Sequence, residues 1–142
     1  MRSELTVMTA KSEVHIPVHS DADIVTARQQ GRAMALQAGF ESSDLTVIST
    51  AISEVARNIV EHAVSGEIII EIIYNSTKTG LNVVARDEGP GISDIPLAMQ
   101  DGYSTGKGLG LGLPGTRRLM DEFIINSQPG VGTTVTMKKW RR

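Results

Sequence analysis

Three side chains spaced four residues apart, Glu54, Asn58 and His62, fall within the segment SEVARNIVEHA. If that segment is helical, the three make one row along it, because residues four apart lie one above the other. A carboxylate can take a proton, and an amide oxygen is a hard ligand suited to Mg²⁺, which keeps waters and takes few protein ligands beside phosphate oxygens. Next comes Asp87-Glu88-Gly89-Pro90-Gly91, a carboxylate opening into two glycines that allow close backbone approach. Gly106-Lys107-Gly108-Leu109-Gly110-Leu111-Gly112 has glycine at every second position, which neither a stable helix nor a stable strand would choose. Such a run can wrap phosphates with backbone N–H groups and move when they leave. Gly130-Val131-Gly132-Thr133-Thr134 closes the series. Together these are the parts needed to hold Mg-ATP without a P-loop.

Taken singly, each motif has an ordinary explanation. Glu54 can be a solvated helix acid, Asp87 a strand-to-turn residue, the glycine run a surface loop, and Gly130/Gly132 a hairpin turn. Asn58 is a poorer helix former than its neighbours. His62, nearer the apolar stripe, is read as a packed or capping histidine. Two other nucleotide motifs fail on context. Gly102 to Gly108 has a three-residue spacer and Gly108 where a P-loop needs Ser or Thr. Gly110-x-Gly112-x-x-Gly115 matches a dinucleotide fingerprint in spacing only, with no strand before it and Pro114 inside it.

The elements that must carry these residues follow from periodicity. Val14, Ile16 and Val18 alternate with His15 and Pro17 and suggest a short strand that Pro17 pushes to an edge; residues 1–12 show no strong pattern and read as a loose end or an edge strand. Ser20 or Asp21 can cap a helix over about 22–38, ended by Gly39. Ser42 or Ser43 can cap a second over about 44–64. On it Leu45, Ile48, Ile52, Val55, Ala56, Ile59 and Ala63 form an apolar stripe, with Ser53, Arg57 and Glu61 towards solvent. Strands are expected over 67–74 and 81–86, a short helix near 94–101, a helix over 113–122, and a hairpin of 123–127 with 133–140. Helices beside antiparallel strand pairs imply an α/β two-layer sandwich: a mixed, mostly antiparallel sheet covered on one face by helices.

At 142 residues, 40% hydrophobic and 21% charged, the sequence reads as a single globular domain over 1–142. A net charge of −2 argues against capture of nucleic acid; the basic run Lys138, Lys139, Trp140, Arg141, Arg142 reads as a solvated strand end. There is no cysteine, so no disulfide or thiolate site. No apolar run is long enough to span a membrane and no signal peptide is evident, so a cytoplasmic location is expected.

The order of the four motifs resembles the ATP-binding fold shared by gyrase, heat-shock chaperones, histidine kinases and mismatch-repair ATPases, the GHKL superfamily. TAISEVARNIVEHA, DEGPGI, DGYSTGKGLGLGLPG and RRLMDEF are similar to the small serine/threonine kinases of bacterial partner-switching pathways, the stressosome type, over about residues 24–140. The resemblance implies ATP and Mg²⁺ as cofactors, Glu54 as the base that receives the acceptor proton, and Asn58 as the residue holding the ion. It also implies that Asp87 accepts from the adenine amine and that Thr133 reaches the adenine through water. Gly89, Gly91, Gly106, Lys107, Gly108, Gly110, Gly112 and Leu113 would complete the nucleotide site. The implied substrate is a STAS-domain scaffold or antagonist protein, with a PP2C-type phosphatase activated on release. The rival readings are an anti-sigma factor kinase that sequesters a sigma factor and the catalytic domain of a histidine kinase. The second would need a separate acceptor protein, because no helical hairpin carries a spare histidine.

Overall fold

The computed structural model describes residues 8–92, 95, 99 and 112–142, with side chains from residue 13 onward. Branched residues at every second position build the sheet, since successive strand side chains point to opposite faces. In β1 (Met8–Val18) Ile16 and Val18 are buried, in β2 (Gly66–Tyr74) Ile68, Ile70 and Ile72, and in β3 (Thr79–Asp87) Leu81, Val83 and Ala85. β4 (Glu122–Gln128) and β5 (Gly132–Trp140) complete the sheet, with Val135 and Met137 buried. The spatial order is β1-β2-β3-β5-β4, and all four pairings are antiparallel. Register lines the apolar residues into two cross-strand rows. One is Ile16–Ile68–Ala85–Val135–Ile125, the other Val14–Ile70–Val83–Met137–Phe123.

Helices α1 (Asp21–Gln37), α2 (Ser42–His62) and the short α3 (Gly112–Leu119) are those of the described residues. α2 is buried on two sides. Ile48, Ile52, Val55 and Ile59 form its apolar stripe, as expected, while Ser49, Ser53 and Glu54 are also buried. Gly31 explains how close the second neighbour comes: a β-carbon there would collide with the end of the Ile52 side chain.

The helix ends follow local chemistry. Gly39, at φ +95°, lets α1 finish in a Schellman turn: its N–H donates to Leu36 O (3.0 Å) and that of Phe40 to Ala35 O (3.0 Å). Ser20 is the N-cap of α1, whereas α2 is capped by Glu41, so Ser42 and Ser43 lie in its first turn. α3 stops at Leu119, short of the expected 122. The Asp121 N–H donates to Lys138 O (2.9 Å) and Glu122 already pairs with Lys138, so strand pairing takes residues a continuing helix would use. β1 begins at Met8, well before Val14, with its register to β2 shifting between Thr9 and Glu13. The helix expected near 94–101 falls outside the described residues apart from Ile95 and Met99, whose N–H donates to Ile95 O (2.9 Å).

The sheet end at Thr79 is tied to the chain's last residues. Asp121 Oδ2 accepts from the Trp140 N–H (2.8 Å) and its Oδ1 from Arg142 Nη2 (2.6 Å), and the Arg141 N–H donates to Thr79 O (2.8 Å). The Arg141 guanidinium lies over Gly39.

At the start of α1, Asp23 Oδ2 accepts the N–H groups of His19 (2.8 Å) and Ser20 (3.2 Å), and the His19 bond first among causes lowers its pKa. Bonds to the charged form stabilise it, so the native carboxyl titrates below the unfolded one. Its contribution is present above the ordinary value of 3.8 and is lost as pH falls through the lower native value. Asp23→Ala is expected to lower Tm at neutral pH, with the gap to wild type closing below pH 3.8 in thermal melts followed by circular dichroism.

Candidate functional site

The core face of the sheet does not end with its apolar rows. Two residues beyond Ala85 and Val135, on the same face, the register aligns Val18, Gly66, Asp87, Thr133 and Ser127. The last row is therefore polar across three strands. Asp87 and Thr133 are direct partners, although 46 residues separate them in sequence. Asp87 Oδ1 accepts the Gly89 N–H (2.8 Å), fixing one carboxylate oxygen in the turn. Ser127 organises the rest. Its Oγ accepts the Ile92 N–H (2.7 Å), lies 2.8 Å from Thr133 Oγ1, and is 3.2 Å from the Gly132 carbonyl to which it donates. Sequence reasoning missed Ser127, since a lone serine in a strand carries no signal until its register is known.

The row on α2 runs from buried to open. Glu54 is only 8% exposed, Asn58 is half-buried, and His62, the last residue of the helix, is exposed and not packed as expected. Among the described residues no hydrogen bond engages the Asn58 amide. Among the described residues Glu54 has two donors: Arg57 Nη1 reaches Oε2 (3.2 Å), and the Gly112 N–H reaches Oε1 (3.3 Å). A buried carboxylate needs such partners to offset its lost hydration. The first N–H groups of a helix have no intrahelical acceptor, so the start of α3 suits an anion, and the anion seated there is Glu54. Of the two residues the sequence places towards solvent, Ser53 is buried and Arg57 keeps its side chain 31% exposed while turning to Glu54. α1 covers that side of α2, leaving Ser53 9% exposed and drawing Arg57 back to Glu54.

Three glycines bind the motifs to one another. A β-carbon on Gly89 would lie 2.8 Å from that of Ala63 and 3.0 Å from His62 O, so the Asp87 turn packs on the end of α2. Gly91 (φ +79°) presses on the backbone of Gln128 and Pro129, and Gly132 (φ +150°) on that of Asp87 and Glu88. Each thus has a packing reason for its lack of a side chain. Leu113 is buried in the first turn of α3, with Pro114 behind it and Thr116 Oγ1 donating to Gly112 O (2.9 Å). Gly106, Lys107, Gly108 and Gly110 lie outside the described residues. The first, second and fourth motifs and the last glycine of the third therefore meet at one end of the sheet.

Residues 18–139 match the family model of the histidine kinase-like ATPase domain. The chain belongs to that family. Serine/threonine-protein kinase RsbT of Bacillus subtilis is 50% identical over 127 residues, which span 89% of this chain and 96% of RsbT. This likeness places the protein with the family's serine/threonine-protein kinases. Anti-sigma F factors are more distant. That of Halalkalibacterium halodurans is 37% identical over 68% of this chain and 69% of its own, and that of Geobacillus stearothermophilus 32% over 91% and 92%. A solved structure of the RsbU and RsbW domains of a Mycobacterium tuberculosis protein superposes with TM-score 0.61 at 26% identity, over 92% of this chain and 33% of that one. The mycobacterial sensor histidine kinase MprB shares the fold at TM-score 0.53 and 18% identity, over 91% of this chain and 99% of that one.

The crowding at Gly132 can be tested. Gly132→Ala puts a methyl group against the Asp87 carbonyl at a φ that L-residues avoid, and should cost about 1–3 kcal/mol in urea unfolding and weaken nucleotide binding. Gly130→Ala, where no atom lies within 4 Å, is expected to cost less and leave binding unchanged.

Proposed function

We propose that the protein is a Mg-ATP-dependent serine/threonine kinase whose substrate is a STAS-domain partner in a bacterial partner-switching pathway of the stressosome type. The observation that carries this reading is the Glu54 carboxylate, buried, rigidly mounted, and in contact with Gly112 at the end of the glycine run. A base so placed adjoins the segment whose backbone donors suit a triphosphate. Asp87, with one oxygen held by Gly89, offers the other to an adenine amine. Thr133, already 2.8 Å from Ser127, stands beside it to order water on the adenine edge.

Magnesium fits the donor set in a particular way. Among the described residues no group of three or more His, Cys, Asp or Glu forms a metal cluster, which suits an ion held chiefly by phosphate oxygens. Asn58 would hold it, through an amide oxygen that no described residue engages. The ion supplies charge neutralisation on the phosphates. Phosphoryl transfer asks the protein mainly for positioning and electrostatics: Glu54 orients the acceptor hydroxyl and takes its proton, as the new P–O bond forms and ADP leaves.

In the proposed pathway the kinase acts in the cytoplasm on a STAS scaffold or antagonist and is then released towards a PP2C-type phosphatase. No described helix is long and apolar enough to cross a membrane. The anti-sigma reading draws on relatives of 32–37% identity and the kinase reading on one of 50%. Incubation with labelled Mg-ATP and STAS proteins of the same genome tests the proposal. Label on a serine or threonine supports it; tight sigma-factor binding with no labelled protein favours the anti-sigma alternative.

Two variant sets check the roles. Glu54→Gln is expected to keep the fold and ATP affinity while lowering transfer by about 10²–10⁴, the range for a general base; Asn58→Ala should instead weaken Mg-ATP binding in calorimetry. Wild type should prefer ATP to GTP, and Asp87→Asn should lose about 1.5–3 kcal/mol of ATP affinity, the worth of a hydrogen bond to a charged group.

A further inference from the structure

On the side of α2 away from the sheet, an open groove of about 420 Å³ runs between α1 and α2. Arg28 and Arg32 line it from α1 and Thr50 and Arg57 from α2, with Glu54 towards the end nearer the C-terminus of α2. Three guanidinium groups face one carboxylate, on a chain whose net charge is −2. Arg28 and Arg32, four residues apart on one helix face, have no carboxylate partner among the described residues. The nearby hydroxyls do not compete for an anion. Ser49 Oγ donates to Leu45 O (2.7 Å), Ser53 Oγ to Ser49 O (2.9 Å) and Thr46 Oγ1 to Ser42 O (3.4 Å), so their protons are spent on their own helix. The charged donors left for a guest are the arginines, beside the neutral Thr50 hydroxyl and Gln29 amide, and arginines pair with carboxylates in a planar fork.

We propose that this groove docks the acceptor segment of the partner protein and selects one with an acidic residue beside the phosphorylated serine or threonine. The proposal rests on the kinase reading and specifies its substrate. The carboxylate pairs with Arg28 and Arg32, and the neighbouring hydroxyl is delivered to the Glu54 end. A basic segment would meet three arginines in the same groove, and like charges brought together at an interface are costly. Arg57, already bonded to Glu54, keeps that carboxylate in place while the segment enters.

The Arg28→Glu/Arg32→Glu double variant tests this. Arg28 is half-buried and Arg32 exposed on the groove side of α1, so circular dichroism first checks that the fold is retained. With a STAS partner, KM for the partner is expected to rise by about tenfold or more with kcat and ATP affinity unchanged, since docking charges act on association. Changing the partner's acidic neighbour of the acceptor to Arg should restore it. An unchanged partner KM, or a loss of ATP affinity instead, overturns the proposal.

A second measurement does not depend on transfer. Fluorescence anisotropy compares a serine peptide flanked by glutamates with its lysine counterpart, on wild type and on the double variant. Preference for the glutamate peptide by wild type, lost in the double variant, is the expected result. Equal binding of both peptides overturns the groove while leaving the kinase reading intact. The expected preference with no labelled STAS protein overturns the kinase reading and leaves the groove as an acidic-segment site.

Discussion

Strand register is the constraint on which the functional end depends. The row Val18–Gly66–Asp87–Thr133–Ser127 faces the helices only because β2, β3, β5 and β4 are paired as they are. A slip of one residue between β3 and β5 would turn Thr133 to the opposite face from Asp87. Two apolar rows enforce the alignment, since the same slip would expose Val135 and Met137. The residues that could read a base are thus brought to one face by hydrophobic burial elsewhere in the same strands, and local hydrogen bonds to Gly89 and Ser127 then fix them there.

A second dependence runs through α2. A helix packed on one side can leave a carboxylate in water; α2 is covered by the sheet on one side and α1 on another. Glu54 is consequently buried, and its charge is matched by Arg57 and by a backbone N–H of α3. That backbone contact also couples the carboxylate to the position of Gly112, and so to the glycine run that ends there.

The helices and most strands were legible because periodicity reports burial, and burial is what forms them. The α2 stripe and Gly39 as a terminator are direct instances. Helix angles, however, do not say how many sides are covered, so the sequence places Ser53 towards solvent and leaves His62 as either a packed or a capping residue, where the structure puts it exposed at the helix end. The early half of β1 was hidden because its pairing to β2 is irregular and its residues do not alternate. The end of α3 was misjudged because Asp121 and Glu122 are adequate helix residues, claimed by β5 only in three dimensions. In the site, Glu54, Asn58 and Asp87 stood out through their motifs, whereas Ser127 acquires meaning only from partners 35 residues before it and 6 after.

The bonds around Asp121, Trp140, Arg141 and Thr79 have a mechanical consequence. They lie at the end of β3 opposite Asp87, and the nine residues of that strand put the two ends about 27 Å apart. The sheet is therefore clamped at one end like a cantilever, with α1, the β2–β3 turn and the α3–β4 corner in the same clamp. The clamped end keeps the fold in register from the far side of the sheet, so the Asp87 end is left to its own separate contacts at Gly89, Gly132 and Ser127.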